Sequence, residues 1–92
     1  MTKRVVLKIY GDVQGVFFRD SARRMAGELN LSGFARNEGD GSVYVEAEGD
    51  EENLEKMIEW CRSGGGKYKV DKADVERLEA SGKFNGFEIK PQ

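Results

Sequence analysis

The sequence contains no histidine and only one cysteine, Cys61, among its 92 residues. A zinc or iron–sulfur site built from His and Cys therefore cannot be assembled within this chain, and Ser-His-Asp or Cys-His machinery is excluded as well. One cysteine cannot form an intrachain disulfide, which favours a reduced thiol in a cytosolic protein. We expect no metal and no cofactor, and any catalysis must then use Arg, Lys, Asn, Gln, carboxylates or backbone amides.

Long apolar segments are also lacking. The sequence has no apolar run of 18 residues, and its N-terminus has no apolar stretch of signal-peptide length. We therefore expect a cytoplasmic protein without a membrane partner. The length suits one small domain covering residues 1–92, which we expect to be monomeric.

The charges are unevenly distributed, although 15 basic and 17 acidic residues leave a formal charge of only -2. Residues 1–37 are mainly basic, whereas residues 38–59 are mainly acidic. A long polyanion would be repelled by the acidic part, so this pattern favours a small anionic ligand and no nucleic acid. We expect the acidic residues between Glu46 and Glu59 to form a solvated strand face and helix start.

Hydrophobic periodicity predicts the order βαββαβ followed by a C-terminal strand. This order is typical of an α+β, ferredoxin-like split βαβ sandwich, with a mainly antiparallel sheet and two helices on one face. The predicted elements are a strand over 4–10, a helix from Asp20 to about Asn30, strands over 33–37 and 42–48, a helix from Asp50 to Gly64, a strand over 69–79 and a last strand around 84–89.

A glycine-containing segment, Gly11–Arg19, connects the first strand to the first helix. Successive backbone N–H groups in such a turn can converge on an anion, and the helix N-terminus adds partial positive charge. Gly15 lets the backbone approach a phosphate closely, and Arg19 can donate two charge-assisted hydrogen bonds to it. The segment alone is also compatible with an ordinary tight connection carrying a surface arginine.

A second segment, Gly33–Asn37, precedes the predicted hairpin turn. Asn37 has a carboxamide that can accept a hydrogen bond from a water while donating another to a phosphoryl oxygen. An asparagine at a strand end is also a common turn former. The neighbouring Arg36 alternates to the opposite sheet face, where we expect it to be solvated.

Together, the two segments resemble the two signatures of the acylphosphatase family. Residues 9–19 match the first at Ile9, Gly11, Val13–Val16, Phe18 and Arg19, and residues 33–49 match the second. The resemblance covers nearly the whole chain and implies a metal-free hydrolase that cleaves the carboxyl–phosphate bond of a small acyl phosphate on a ferredoxin-like fold.

The resemblance also assigns roles to individual residues. It implies that Arg19 binds and neutralises the phosphate and that Asn37 positions the attacking water, with the substrate's own phosphate taking the water's proton. The phosphate is further held by backbone N–H groups, which the resemblance places at Gln14, Gly15, Val16, Phe17 and Phe18.

Two other functions remain open from the sequence. A ferredoxin-like sheet can bind RNA through exposed aromatic residues, for which Tyr10, Tyr44 and Tyr68 are candidates, although the acidic third strand opposes this. An acylphosphatase-like domain can also serve a carbamoyl-transfer assembly, as in hydrogenase maturation proteins. Because those proteins continue into cysteine-rich segments, we expect this alternative only if the sequence is a fragment.

The absence of histidine predicts the pH dependence of the reaction. We expect the pH profile of kcat/KM to show no inflection from an enzyme group near the imidazole pKa of about 6.5. The measurement is a rate series from pH 5 to 9 with substrates whose phosphate pKa values differ. An inflection near pH 6.5 that stays fixed when the substrate changes would contradict a reaction that uses no titrating group of the enzyme in this range.

Overall fold

The computed structural model describes residues 1–91 and shows two helices packed on a five-stranded sheet within them. The strand order is β4-β1-β3-β2-β5, with β5 parallel to β2 and all other neighbours antiparallel. The predicted α+β ferredoxin-like class is therefore confirmed. The elements are β1 (Thr2–Asp12), α1 (Phe18–Glu28), β2 (Ser32–Asn37), β3 (Val43–Asp50), α2 (Glu51–Ser63), β4 (Lys69–Glu79) and β5 (Phe87–Lys90), with a short 3-10 turn at Gly64–Gly66.

The core lies between the sheet and the helices. In β1 the buried residues alternate with partly exposed ones, because successive side chains of a strand point to opposite faces. The helices contribute apolar stripes at helical spacing, and neither helix in the described residues is long and apolar enough to cross a membrane. The buried residues of these three elements are Val5, Leu7 and Ile9 in β1, Phe18, Ala22 and Ala26 in α1, and Leu54, Met57, Ile58 and Cys61 in α2.

The register of the sheet brings the two sequence signatures to the same end of the molecule. Val43 in β3 pairs with Ile9 near the end of β1 on one side and with Asn37 at the end of β2 on the other. The loop that follows β1 therefore emerges beside the β2–β3 hairpin. The strand order therefore places that loop and Asn37 at the same end of the sheet.

Helix α1 begins at Phe18, two residues earlier than the sequence predicted, and ends at Glu28. The Phe18 ring is 1% exposed and packs against Trp60 and Tyr68, with ring centroids 5.4 and 5.2 Å away. This packing fixes the first helical turn against the core, so the helix starts at a buried aromatic residue. The sequence periodicity recognised only the later apolar positions.

The expectation of a solvated acidic face is wrong at Glu48, whose side chain is 5% exposed. Its carboxylate accepts hydrogen bonds from the Ser81 and Gly82 N–H groups at 2.7 and 3.0 Å and from the Ser81 hydroxyl. The Arg4 Nε atom lies 3.6 Å away. Burial opposes ionisation of Glu48, but these donors and Arg4 outweigh it and lower its pKa. Glu48 therefore anchors the connection between β4 and β5.

Arg36 is also less solvated than expected, although it does lie on the sheet face opposite the helices. Its guanidinium carbon sits 4.5 Å from the Tyr44 ring centroid, and its Nε donates to Glu38 at 3.1 Å. Stacking on an aromatic face is favourable for a guanidinium group, which is weakly hydrated. The side chain is consequently held on the sheet surface.

The anchoring role of Glu48 predicts the effect of a conservative substitution. Glu48→Gln leaves the donors of Ser81 and Gly82 facing an amide, and we expect it to lower the free energy of unfolding by about 2 kcal/mol at pH 7. Because the folded-state pKa is lowered, the stabilisation is present above the ordinary glutamate pKa of about 4.3 and is lost as the pH falls through the folded value.

Urea unfolding of both proteins at pH 7 and pH 3 measures this effect. The difference between wild type and Glu48→Gln should be smaller at pH 3, which lies below the ordinary glutamate pKa, because protonation of Glu48 in the unfolded wild type then offsets part of the stabilisation. The matched control is Glu76→Gln, at an exposed position of β4, which should change stability little at either pH. A difference of equal size at both pH values would contradict the anchoring role.

Candidate active site

The loop between β1 and α1 has an unusual backbone conformation. Gly15 and Phe17 have φ angles of 73° and 66°, both in the left-handed region. A bulky residue such as Phe is strained there, and such strain persists only where surrounding structure enforces it. Left-handed residues close to right-handed ones turn successive N–H groups toward a common point, a geometry that binds anions.

The N–H groups of this loop are available for a ligand. Within the described residues, the backbone N–H groups of Gln14, Gly15, Val16 and Phe17 donate no hydrogen bond to another protein group. The first N–H groups of α1 have no intrahelical acceptors, as at every helix N-terminus, and carry its partial positive charge. The loop and helix start therefore form a row of unpaired donors suited to an oxyanion.

Arg19 lies in the first turn of α1 and lines a cavity of about 420 Å³ beside the loop. Among the described residues, the Arg19 side chain forms no ion pair within 4 Å with an acidic group. A cation without a protein partner next to unpaired N–H donors favours a ligand with more than one negative charge. The cavity is lined by Val13, Gly15, Phe17, Phe18, Arg19, Asp20 and Ile89.

The Gln14 side chain ties the loop to the β2–β3 hairpin. Its Nε2 atom donates to the carbonyl oxygens of Glu38 and Ser42, at 2.8 Å each. These two residues flank the hairpin turn, and Glu38 directly follows Asn37 in the chain. One side-chain amide therefore sets the position of the loop relative to Asn37.

Tyr68 holds the loop from the other side. Its hydroxyl donates to the Phe17 carbonyl oxygen at 3.2 Å and lies 2.6 Å from the Ser21 hydroxyl oxygen. The ring also packs edge-on against Phe18. These contacts hold Phe17 in its left-handed conformation and fix the loop to the first turn of α1.

Asn37 carries an unpaired polar atom at this end of the sheet. Its Oδ1 atom is buried and accepts no hydrogen bond from any group in residues 1–91. Leaving a buried acceptor unpaired costs about 1–3 kcal/mol. A water molecule or another donor bound at this position would remove that cost.

The structure brings together most of the residues predicted for the site, but not around one cavity. Gly15, Phe17, Phe18 and Arg19 line the same cavity, whereas Asn37 lies on the adjoining hairpin. Val16 faces a separate shallow depression beside Lys67 and Tyr68. Its predicted contribution, like that of Gln14 and Phe17, is a backbone N–H group.

The single thiol takes no part in this arrangement. Cys61 is fully buried in α2, and burial raises its pKa to about 12. No group of three or more His, Cys, Asp or Glu side chains that could hold a metal ion occurs in the described residues.

Comparison with known proteins decides the family. A family model described as acylphosphatase matches residues 5–89. The chain is 43% identical to an acylphosphatase from Rubrobacter xylanophilus over 89 residues, which covers 97% of this chain and 81% of that protein. The chain belongs to the acylphosphatase family. It is therefore a hydrolase of the acylphosphatase type.

Solved structures agree with the acylphosphatase assignment. A crystal structure of acylphosphatase from Bacillus subtilis superposes with a TM-score of 0.89 at 30% identity, covering 98% of this chain and 99% of that one. The structure of T. kodakarensis HypF superposes with a TM-score of 0.80 at 30% identity, covering 98% of this chain but 12% of that one. The acylphosphatase fold thus occurs both as most of a chain and as a small part of a longer one.

Two features of the candidate site were not predicted from the sequence. The Gln14 side chain lies in a recognised motif, but its acceptors are carbonyl groups 24 and 28 residues away. Tyr68 follows the glycine turn, 51 residues from Phe17, and no sequence pattern links the two residues. Both roles depend on tertiary packing, which single-sequence patterns do not encode.

The two hydrogen bonds of Gln14 predict its contribution to anion binding. Gln14→Met keeps the length of the side chain but removes both donors. We expect the variant to bind inorganic phosphate about tenfold more weakly, because two hydrogen bonds of about 0.5–1.5 kcal/mol each no longer hold the loop. Isothermal titration calorimetry with inorganic phosphate measures the change.

A matched control is Asn53→Ala. Asn53 likewise donates a side-chain amide N–H to a backbone carbonyl, that of Leu29 at the C-terminal end of α1. Asn53→Ala should reduce stability while leaving the phosphate affinity unchanged. Equal phosphate affinities for wild type and Gln14→Met would show that the loop does not need this anchor.

Proposed function

We propose that this protein hydrolyses the carboxyl–phosphate bond of small acyl phosphates, producing a carboxylate and inorganic phosphate. The observation that carries the proposal is the row of unpaired backbone donors beside Arg19, at the same end of the sheet as Asn37. Membership of the acylphosphatase family supports the same reaction. We expect the enzyme to act as a cytoplasmic monomer.

In this proposal the phosphate group is held by the loop and by Arg19. The backbone N–H groups of residues 14–19 donate to its oxygens, and the Arg19 guanidinium neutralises part of its charge. Phosphoryl transfer depends mainly on positioning and electrostatic stabilisation. Because the loop is already held by Gln14 and Tyr68, its donors need little rearrangement as charge develops in the transition state.

Asn37 positions the attacking water. Its Oδ1 atom is an acceptor without a partner in residues 1–91, so it can accept a hydrogen bond from a water O–H. The amide nitrogen can donate to a phosphoryl oxygen at the same time. Because one planar group holds both the water and the phosphate, their translational and rotational entropy is lost on binding and adds less to the activation free energy of the reaction.

The reaction balances without a protein general base. The water oxygen forms a bond to phosphorus, the bond from phosphorus to the acyl oxygen breaks, and the carboxylate departs with the bonding electrons. The proton of the water goes to a phosphate oxygen. Because a carboxylate is a good leaving group, neither a general acid nor a metal ion is required for this step.

The roles of Asn37 and Arg19 make separate predictions. We expect Asn37→Ala to lower kcat about 100- to 1000-fold, the usual range for loss of one group that acts in the transition state, while inorganic phosphate still binds. Arg19→Ala should lower kcat and also weaken the binding of inorganic phosphate, because the Arg19 charge contacts the phosphate both in the bound state and in the transition state. Hydrolysis of benzoyl phosphate and calorimetry with inorganic phosphate measure the two quantities.

Asn53→Ala serves as the matched asparagine control and should keep wild-type kcat. The wild-type assay is repeated with EDTA, and we expect the rate to be unchanged. Wild-type turnover by Asn37→Ala would overturn its water-positioning role. Loss of wild-type activity with EDTA, restored by adding a divalent cation, would overturn the metal-independent mechanism.

A further inference from the structure

A second depression lies beside the proposed phosphate site. It has a volume of about 490 Å³ and runs along the exposed side of α1 toward the turn that precedes β4. It shares Phe17 and Asp20 with the cavity that contains Arg19, so the two depressions adjoin along these residues. Its lining consists of Phe17, Asp20, Ser21, Arg23, Arg24 and Lys67.

The charge of this second depression is positive, in contrast to the chain as a whole, which has a formal charge of -2. Asp20 is its one acidic residue, and that carboxylate already accepts a hydrogen bond from Arg23 at 3.1 Å. Arg24 and Lys67 have no acidic side chain within 4 Å in the described part of the chain. The depression therefore offers two uncompensated cations next to the phosphate site.

Phe17 forms the boundary between the two depressions. Its side chain is 76% exposed, although exposure of a large aromatic ring is unfavourable and its left-handed backbone adds strain. The contact of its carbonyl oxygen with the Tyr68 hydroxyl holds it there. A planar apolar group attached to a phosphate beside Arg19 can lie against the Phe17 ring and extend toward Arg24 and Lys67 in the second depression.

We propose that the second depression binds the acyl part of the substrate and that Arg24 and Lys67 select acyl groups carrying a second negative charge. The inference rests on the proposed function, since it assumes that the phosphate occupies the loop beside Arg19. Phe17 contacts the body of the acyl group, and the two cations contact a carboxylate or phosphate at its far end. Arg24 and Lys67 are specificity-determining residues in this arrangement and touch neither the phosphorus nor the attacking water.

Two synthetic substrates of matched shape test the proposal. The first is 4-carboxybenzoyl phosphate and the second is 4-methylbenzoyl phosphate, which differ mainly in the charge opposite the acyl phosphate. We expect wild type to have the higher kcat/KM for the carboxylated substrate. We expect Arg24→Gln and Lys67→Gln each to lower the ratio of the two kcat/KM values about two- to fivefold, the range for a solvent-accessible ion pair.

Lys56→Gln is the matched control, because it removes one positive charge from an exposed position of α2. Its ratio should equal that of wild type, which separates a local contact from the change in overall charge. Raising the ionic strength should reduce the wild-type preference, since exposed charges are screened by salt. Thermal unfolding confirms that each variant is folded.

The outcomes distinguish this inference from the proposed function. If wild type hydrolyses both substrates but the ratio is the same in Arg24→Gln, Lys67→Gln and wild type, the acyl subsite is overturned and the hydrolase function stands. If Lys56→Gln lowers the ratio as much as the other two, the preference is a general charge effect and the subsite is again overturned. If wild type hydrolyses neither substrate, the proposed function fails and the inference fails with it.

Discussion

The side-chain amide of Gln14 connects the two parts from which the site is made. One part is the loop after β1, whose donors face outward, and the other is the hairpin that carries Asn37. In the proposed mechanism, neither part alone determines the distance between the phosphate bound at the loop and the water positioned by Asn37. The Gln14 side-chain amide donates to two hairpin carbonyl groups, and these two hydrogen bonds fix the position of the loop relative to the hairpin. The geometry of the candidate site therefore depends on a side chain whose amide donors are both used within the protein.

The sheet provides the larger frame for this connection. Val43 pairs with both neighbouring strands, so the end of β1 and the end of β2 have a set separation. In the proposed mechanism, the positive charge that faces the phosphate comes largely from backbone N–H dipoles, with Arg19 as the main ionised group. Such a site can be built in a small protein because it needs few side chains and little buried charge. Its cost is local strain, which is concentrated at Phe17.

The sequence was sufficient for features that depend on neighbouring residues or on a long motif. The spacing of Ala22 and Ala26 predicted α1, and the resemblance to family signatures singled out Arg19 and Asn37 as candidate site residues. Features that depend on distant packing were missed. The start of α1 depends on Phe18 meeting aromatic rings from later elements. The burial of Glu48 depends on a turn 33 residues later in the chain. From composition alone, a carboxylate in an acidic segment is expected to be exposed to solvent.

The burial of Cys61 has a consequence for the chemical durability of the enzyme. Burial raises the pKa of the Cys61 thiol to about 12, so the thiol stays protonated at pH 7, and the sulfur atom is shielded from solvent by the core. Oxidants and alkylating reagents act on exposed thiolates, so they have almost no target in the folded protein. Phosphatases that use a cysteine nucleophile are inactivated by such reagents. The proposed mechanism uses backbone donors, Arg19 and Asn37 and no thiol, so such reagents have no target among its catalytic groups.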